Sequence, residues 1–383
     1  MLIGICGSIC AGKSTVAQYL VERQGFTRLF IRENKYGHSA DNNGDGNDND
    51  TSSVSSASSS LSPIAFPTAE ALLDYVTTRW RERWVTTDVT NEAVLDVFNR
   101  RPFFLLISVD APVAVRWRRA QQRAARKTAA AAPDDLETFV ARSDAELYGA
   151  GTTASTSSSE HPPAPLLPVM ARAALRLVNG GYELRSRGGH AAVPSFSSTA
   201  LFAALDHAGL TVAGFEQLLR PSWDRYFMAL ASLAAQRSNC MKRRVGCVLV
   251  REHRVVSTGY NGTPRGLRNC GEGGCGRCNG GVGAGVGLAT CLCLHAEENA
   301  LLEAGRERIP TASLAHTTLY CDTCPCLTCS IKIAQVGIGE VVYSQGYSMD
   351  VETAAVLQEA GVQLRQFVPP TQGLIHLDKI VLP

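Results

Sequence analysis

His295-Ala296-Glu297 and, further along the chain, Pro325-Cys326-Leu327-Thr328-Cys329 offer one imidazole, two thiols and one carboxylate. Imidazole nitrogen and thiolate sulfur are donors that Zn²⁺ prefers, and three of them leave its fourth tetrahedral position for water. Cys326 and Cys329, at the start of a helix, present both sulfurs to one side. The positive end of that helix, with Pro325 just ahead, favours the thiolate form. Glu297 stands two residues past the imidazole, where it can reach such a water without ligating the metal. A carboxylate there can take the water's proton and carry it to a leaving amine. The alternative is a closed structural zinc site completed by Cys321 or Cys324, which would give Glu297 no task.

Thirteen cysteines are present, eleven of them between Cys240 and Cys329. Such clustering among histidines points to metal rather than disulfides in a reducing compartment. Cys275-Gly-Arg-Cys278 has the two-residue gap of a zinc knuckle inside a Gly-rich loop, beside Cys240, Cys270, Cys291 and Cys293.

A third chemical signal opens the chain. Gly7-Ser-Ile-Cys-Ala-Gly12-Lys13-Ser14 fits G-x-x-x-x-G-K-[ST], between an apolar strand-like run and a helix-like run. Main-chain amides would cradle phosphates such as those of ATP, Lys13 would meet the outer ones, and Ser14 would help to hold Mg²⁺.

The elements that must position these groups follow from periodicity. In the first half, strands are expected at 2–6 and 103–109, with helices at 12–23, 70–83, 92–99 and 113–127. In the second half, helices are expected at 222–238, 295–304, 326–336 and 351–360, with strands at 245–251, 254–260, 317–321, 341–344 and 362–365. Alternation of this kind implies α/β units with helix-covered sheets. Low-complexity stretches at about 39–63, 149–168 and 180–198 read as disordered insertions, too poor in apolar side chains to offset their ordering entropy. The domain expectation is therefore 1–215 and 220–383.

Several segments converge on one family. Arg220-Pro-Ser-Trp-Asp-Arg-Tyr-Phe-Met, Arg237-Ser-Asn-Cys240, Gly259-Tyr-Asn-Gly-Thr-Pro264 and His295-Ala-Glu-Glu-Asn-Ala, with the Pro-Cys-x-x-Cys run, resemble deoxycytidylate deaminase in its fungal form. The resemblance spans about 221–367 and implies a three-layer αβα cytidine deaminase-like domain that converts dCMP to dUMP and ammonia, supplying dUMP for thymidylate synthesis. It implies catalytic zinc on His295, Cys326 and Cys329, and Glu297 as proton shuttle. Asn261, Tyr347 and Ala296 would contact substrate. Gly259, Tyr260, Gly262 and Thr263 would lie in an effector site for dCTP with Mg²⁺ as activator and dTTP as inhibitor; a tight turn at Asn261-Gly262 is the alternative reading. A second, structural zinc would use Cys240, Cys270, Cys293 and, from the insertion, Cys278 in preference to Cys275. The family is commonly a hexamer.

The first half resembles nucleotide kinase-like proteins, dephospho-coenzyme A kinase among them, through its P-loop, Ser108-Val-Asp-Ala-Pro-Val and Val178-Asn179. Arg116, Arg118, Arg119 and Arg123 fall where such kinases carry lid arginines, while Asp88 and Asp110 are the acidic groups available for turnover. The usual acidic and acceptor-binding elements between Gly25 and Glu70 are replaced by the low-complexity insert.

Bulk properties narrow the field. A net charge of +2 makes a nucleic-acid polymer a poor partner and a small nucleotide a good one. No apolar run approaches the ~20 residues needed to cross a bilayer, and Met1-Leu2-Ile3-Gly4 carries no secretory pattern. The expectation is a cytoplasmic or nuclear protein. Lys242, Arg243, Arg244, Arg265 and Arg306 are the cations available for a substrate phosphate.

Overall fold

Leu2–Gly7 carries no charged side chain and is buried along its whole length, which suits it to the middle of a parallel sheet. In the computed structural model, the residues described are 1–32, 64–126, 135–149, 164–180, 198–281, 283, 286–305, 308–309, 317–346, 350–369 and 373–380. They divide into Met1–Arg220 with Gln372–Pro383, and Pro221–Thr371.

In the first unit, β1 (Leu2–Gly7) lies between β4 (Trp84–Thr86) and β5 (Phe104–Asp110), with β2 (Thr27–Ile31) and β3 (Ile64–Phe66) beyond β4 and β6 (Leu175–Val178) beyond β5. All of these pairings are parallel. Residues Leu374–His376 then pair with β6 and complete seven strands. The tail from 372 thus departs from the expected 220–383 domain: it supplies an edge strand here, and Leu377 is buried in this unit's core. One face is covered by α1 (Lys13–Gln24), α7 (Ser198–His207) and α8 (Val212–Leu219), and the other by α2 (Ala69–Thr77), α3 (Glu92–Phe98) and α6 (Leu167–Ala171). Helices α4 (Val113–Arg126) and α5 (Leu136–Tyr148) follow β5.

The expected helix at 70–83 is shorter than its pattern suggested. It stops at Thr77, and Trp84 instead begins β4, fully buried through Thr86. The expected insertion at 39–63 lies outside the described residues, and that at 180–198 lies outside them but for its two ends. Of 149–168, residues 150–163 lie outside the described residues, and the end of the stretch is folded: Leu166 is buried against the core and α6 begins at Leu167.

The second unit is a three-layer αβα sandwich. Its mixed sheet runs β11 (Gln363–Gln366), β10 (Glu340–Gln345), β9 (Thr317–Thr323), β7 (Gly246–Arg251), β8 (Arg254–Tyr260). Strand β7 pairs antiparallel with both β8 and β9, while β9, β10 and β11 are parallel. Alternation decides which face each side chain takes. Val248 and Val250 pack with Phe227, Met228 and Ala231 of α9 (Trp223–Ala235). Cys247 and Leu249 pack with Ala296 and Ala300 of α11 (Ala296–Ala304), Cys329 and Ile333 of α12 (Leu327–Val336), and Leu357 of α13 (Asp350–Glu359). A short α10 (Gly276–Asn279) lies in the cysteine-rich loop between β8 and α11. Among the described residues no helix is long and apolar enough to cross a membrane.

Two devices fix the helices on this sheet. The β7–β8 hairpin turns through Glu252 and His253, both at positive φ (49° and 61°), and the His253 ring stacks on Trp223 of α9 at 4.5 Å. On the opposite face, β8 and α11 are in backbone contact at Gly259, where an added Cβ would lie 2.0 Å from Ala296 O and 2.5 Å from Ala300 N. Gly259→Ala should therefore force α11 off the sheet and destabilise the second unit by at least the ~1–3 kcal/mol typical of overpacking. A lowered urea midpoint together with reduced retention of zinc would show it; an unchanged midpoint would mean that the helix yields without cost.

Candidate active site

Each ligand sits where a helix begins. His295 is the N-cap of α11, in extended conformation, and its main-chain N–H donates to Glu298 Oε2 at 3.3 Å. Cys326 is the N-cap of α12, and its carbonyl accepts from Ser330 N at 2.9 Å. Cys329 follows in the first turn of that helix and is buried. A Glu298–Lys332 ion pair joins α11 to α12, and Thr353 Oγ1 of α13 donates to Pro325 O at 2.9 Å, holding the turn ahead of Cys326.

His295 Nδ1 lies 3.3 Å from Cys326 Sγ and 3.4 Å from Cys329 Sγ, and all three atoms fall within 4.8 Å of one another. A tetrahedral zinc with bonds of about 2.0 Å to nitrogen and 2.3 Å to sulfur separates those donors by about 3.5 Å, so this trio fits the ion. Neither Cys321 nor Cys324 joins the group among the described residues. Cys321 instead packs beside Cys247 in the core. The three-ligand arrangement is therefore the one the fold builds.

The three groups are electrostatically coupled through their mutual contacts. The contact with Cys329 and then that with His295 hold the Cys326 thiol down at about 3 against the effect of burial. The Cys326 contact in turn lifts His295 to about 9. Cys329, hydrogen-bonded to Cys326 and buried, is pushed up. Glu297, only 4% exposed, is lifted to about 7, chiefly by burial.

Asn261 is placed as a clamp. Its Oδ1 accepts from Ser238 Oγ at 2.6 Å and from Val245 N at 2.9 Å, and its Nδ2 donates to Arg243 O at 2.7 Å. Ala296 is fully buried under β8. Tyr347, the other expected substrate contact, lies outside the described residues, as does Arg306.

The expected effector loop is only partly suited to a ligand. The Gly259 position is explained by helix packing. Gly262 has both main-chain groups paired with Leu294, at 3.1 and 2.9 Å, so its amide is not open to a phosphate. Tyr260 O accepts from Asn299 Nδ2 at 2.7 Å. Thr263 keeps a hydroxyl that is buried and, among the described residues, without a hydrogen-bond partner. Of the cations, Arg243 donates to Gln345 Oε1 at 2.8 Å and Arg265 pairs with Glu303 at 3.4 Å.

Asp322 is a site neighbour that sequence reasoning missed: it accepts from Gly246 N at 3.3 Å, and burial raises its carboxyl. Its place at the end of β9, just before the Pro-Cys-x-x-Cys run, was the available signal. Among the remaining cysteines, Cys240, Cys270, Cys278 and Cys293 converge as expected, and so do Cys275, Cys278, Cys291 and Cys293.

In the first unit, Gly7–Ser14 runs from β1 into α1. Gly12 has φ 111°, and an added Cβ there would sit 2.6 Å from Asn179 Nδ2. Lys13 Nζ turns back onto Gly7 O and Ser8 O. Ile9 N donates to Glu146 Oε2 of α5 at 2.8 Å, and the same carboxylate lies 4.0 Å from Lys13 Nζ. Arg119 Nη1 donates to Ala11 O at 3.0 Å and Nη2 to Asn179 Oδ1 at 3.0 Å, while Arg123 reaches Cys10 Sγ at 3.6 Å. Arg116 instead braces the interior, donating to Ser143 Oγ at 2.7 Å and to Ala111 O. Asp110 accepts from Ser8 Oγ, and Asp88 Oδ2 accepts from Ile31 N at 2.7 Å. A cavity of about 340 Å³ borders Gly7, Lys13, Thr87, Arg142 and Glu146.

Residues 221–345 match the cytidine and deoxycytidylate deaminase zinc-binding region. The deoxycytidylate deaminase of Schizosaccharomyces pombe is 42% identical over 374 residues, covering 97% of this chain and 99% of that protein. The deoxycytidylate deaminase of Saccharomyces cerevisiae is 46% identical over 298 residues, covering 78% of this chain and 85% of that one. Among solved structures, the dCMP deaminase of cyanophage S-TIM5 in complex with dCMP and dUMP is 30% identical, covering 39% of this chain and 98% of that one with a TM-score of 0.30.

Asn261→Ala would strand the N–H of Val245 and the carbonyl of Arg243, whereas the Ser238 hydroxyl keeps the main-chain carbonyl of residue 261 at 2.8 Å. Two main-chain groups left unpaired in a largely buried setting should cost about 2–4 kcal/mol, read as a lower denaturant midpoint. A variant with normal stability and a raised KM would instead assign Asn261 to substrate.

Proposed function

The chain belongs to the deoxycytidylate deaminase family, and we propose that it hydrolyses the 4-amino group of dCMP, giving dUMP and ammonia. The carrying observation is the convergence of His295 Nδ1, Cys326 Sγ and Cys329 Sγ within 4.8 Å, next to a buried Glu297. Zinc held by those three atoms would supply Lewis acidity, which would allow a water to ionise near neutral pH.

The protein's own part is proton handling. Burial lifts Glu297 to about 7, so near neutral pH it can both accept and return a proton. It accepts one from the attacking water and delivers it toward the departing amine, while the C4–N bond breaks and a C4–O bond replaces it. Water is consumed, ammonia leaves, and no oxidant or reductant is needed. His295, Cys326 and Cys329 would hold the metal on two helix starts that are tied together, so the reacting groups would need little reorganisation. The product dUMP would feed thymidylate synthesis. Regulation by dCTP with Mg²⁺ and by dTTP, and assembly as a hexamer, extend the same reading; of the four expected effector residues, Thr263 retains an unused buried hydroxyl that favours it.

A second reading concerns the first unit: a P-loop nucleotide kinase-like domain that binds ATP with Mg²⁺. The favouring observation is that its loop already holds an anion of the chain's own. The Glu146 carboxylate takes the Ile9 amide and approaches Lys13, as a phosphate oxygen would.

Glu297→Gln should keep its full zinc content and lose at least 10²-fold in kcat for ammonia release from dCMP; loss of zinc with activity would make Glu297 structural. For the loop, Lys13→Ala should abolish binding of ATP–Mg²⁺ in calorimetry while deamination continues. Glu146→Gln should tighten that binding several-fold by removing a competing charge, and weaker binding would make Glu146 part of the ligand cradle.

A further inference from the structure

Five cysteines of the loop between β8 and α11, joined by Cys240 from ahead of β7, are gathered in a way that one metal ion does not explain. Cys240, Cys270, Cys278 and Cys293 form one set of four donors within 4.8 Å of one another, and Cys275, Cys278, Cys291 and Cys293 form another. The sets share Cys278 and Cys293. Two tetrahedra with two common corners share an edge, which is the geometry of two metals joined by two bridging sulfurs.

The distances suit this. A tetrahedron with metal–sulfur bonds of about 2.3 Å has edges of about 3.8 Å. Sulfur–sulfur separations are 3.8 Å for Cys240–Cys278, 3.9 Å for Cys275–Cys291, 3.7 Å for Cys278–Cys291 and 3.9 Å for Cys278–Cys293. The last is the shared edge. Disulfides, with sulfurs about 2.05 Å apart, are excluded by these separations, and all thirteen cysteines are free.

The partners of the sulfurs divide in the same way. The outer four take N–H donors: Cys240 from the main chain of Lys242 and Arg243, Cys270 from Met241 N at 3.4 Å, Cys275 from Leu292 N at 3.4 Å, and Cys291 from Arg277 Nη1 at 3.8 Å. The contacts of the inner two run mostly to other cysteines: Cys278 to Cys240, Cys291 and Cys293, with the Arg277 guanidinium as its one N–H partner among these contacts, and Cys293 to Cys278 and Cys270. A terminal thiolate keeps negative charge that N–H donors satisfy, whereas a bridging thiolate gives its electron pairs to two cations. Donors therefore stand at the four terminal positions, and Arg277 offsets part of the net charge of roughly −2 that two divalent ions leave on six thiolates.

We propose that Cys240, Cys270, Cys275, Cys278, Cys291 and Cys293 bind two zinc ions in one thiolate cluster, with Cys278 and Cys293 bridging. Binding exchanges six thiol protons for two Zn²⁺ and involves no redox change. The expected single structural zinc on Cys240, Cys270, Cys278 and Cys293 is thereby enlarged to include Cys275 and Cys291.

Zinc per chain, measured on the full-length protein by plasma mass spectrometry, should be three, falling to two in His295→Ala, which removes only the separate three-ligand site. Cys275→Ser, which strips a terminal ligand from one ion, should lower the wild-type count by one. Because a cysteine variant can fail to fold, the wild-type chain reconstituted with ¹¹³Cd gives an independent reading: two cadmium resonances of sulfur-rich shift, split by mutual coupling through the bridging thiolates. One zinc per chain in His295→Ala, an unchanged count in Cys275→Ser, or a single uncoupled sulfur-site resonance would each overturn the cluster. Absence of zinc from the His295 site alone would lower the wild-type count to two but leave the coupled pair of signals intact, which separates failure of the catalytic reading from failure of this one.

Discussion

Two helices must begin at the same point in space for a metal to find three donors. Helices α11 and α12 are separated in sequence by β9, and their starts are fixed both by the sheet beneath them and by side-chain contacts among the helices. Gly259 lets α11 lie directly on β8, because any side chain there would meet the Ala296 carbonyl. The Glu298–Lys332 pair and the Thr353 hydroxyl then set α12 and its leading turn against α11. Main-chain groups at helix starts are otherwise unsatisfied, so the same positions carry both the partial positive charge that suits thiolates and the freedom to hold ligands in extended conformation. Preorganisation here is a consequence of sheet packing rather than of the metal.

Much of the second unit was readable from its residues. Val245 to Arg251 and Arg254 to Tyr260 alternate around a two-residue turn, and the observed strands differ from that pattern by a single residue. The ligand trio was equally plain, since few roles other than metal binding demand His and Cys-x-x-Cys near helix starts. What misled was the Gly-Tyr-Asn-Gly-Thr run. The resemblance put its glycines in an effector site, yet one gives room to a helix and the other completes a bridge to Leu294. A sequence states that a Cβ is missing without stating which neighbour occupies the space.

The first unit was less legible for a different reason. Strands β2, β3 and β4 are five, three and three residues long, and Thr27–Ile31 is mostly half-buried. Runs so short carry little periodicity, and their identity as strands is imposed by β1 and by the helices above them. Trp84 shows this well: it ends what reads as a continuous helical pattern, but its register opposite Leu2 in the sheet decides the matter. The tail strand Leu374–His376 is legible only through its partner β6, far away in sequence.

The cysteine-rich loop raises a question of energetics that the sheet cannot answer. Between Gly262 and His295 the chain is mostly Gly, Cys, Arg and Asn, and apart from its cysteines it contributes no large side chain to a buried cluster among the described residues. Ordering about thirty such residues costs on the order of 1 kcal/mol each or more, and apolar burial of this scale cannot offset that. Cys270, Cys275, Cys278 and Cys293 are nevertheless buried together, and Asn279 fastens α10 by donating to the carbonyls of Cys270 and Cys275 at 2.9 Å. Metal–thiolate bonds are the one interaction in reach whose strength matches the deficit, since structural zinc contributes roughly 10–16 kcal/mol per site in small domains. The loop ends at Cys293, two residues before His295. Whatever orders the thiols therefore fixes the approach of the chain to His295, so the cysteine-rich loop and the His295, Cys326 and Cys329 trio share one stretch of backbone.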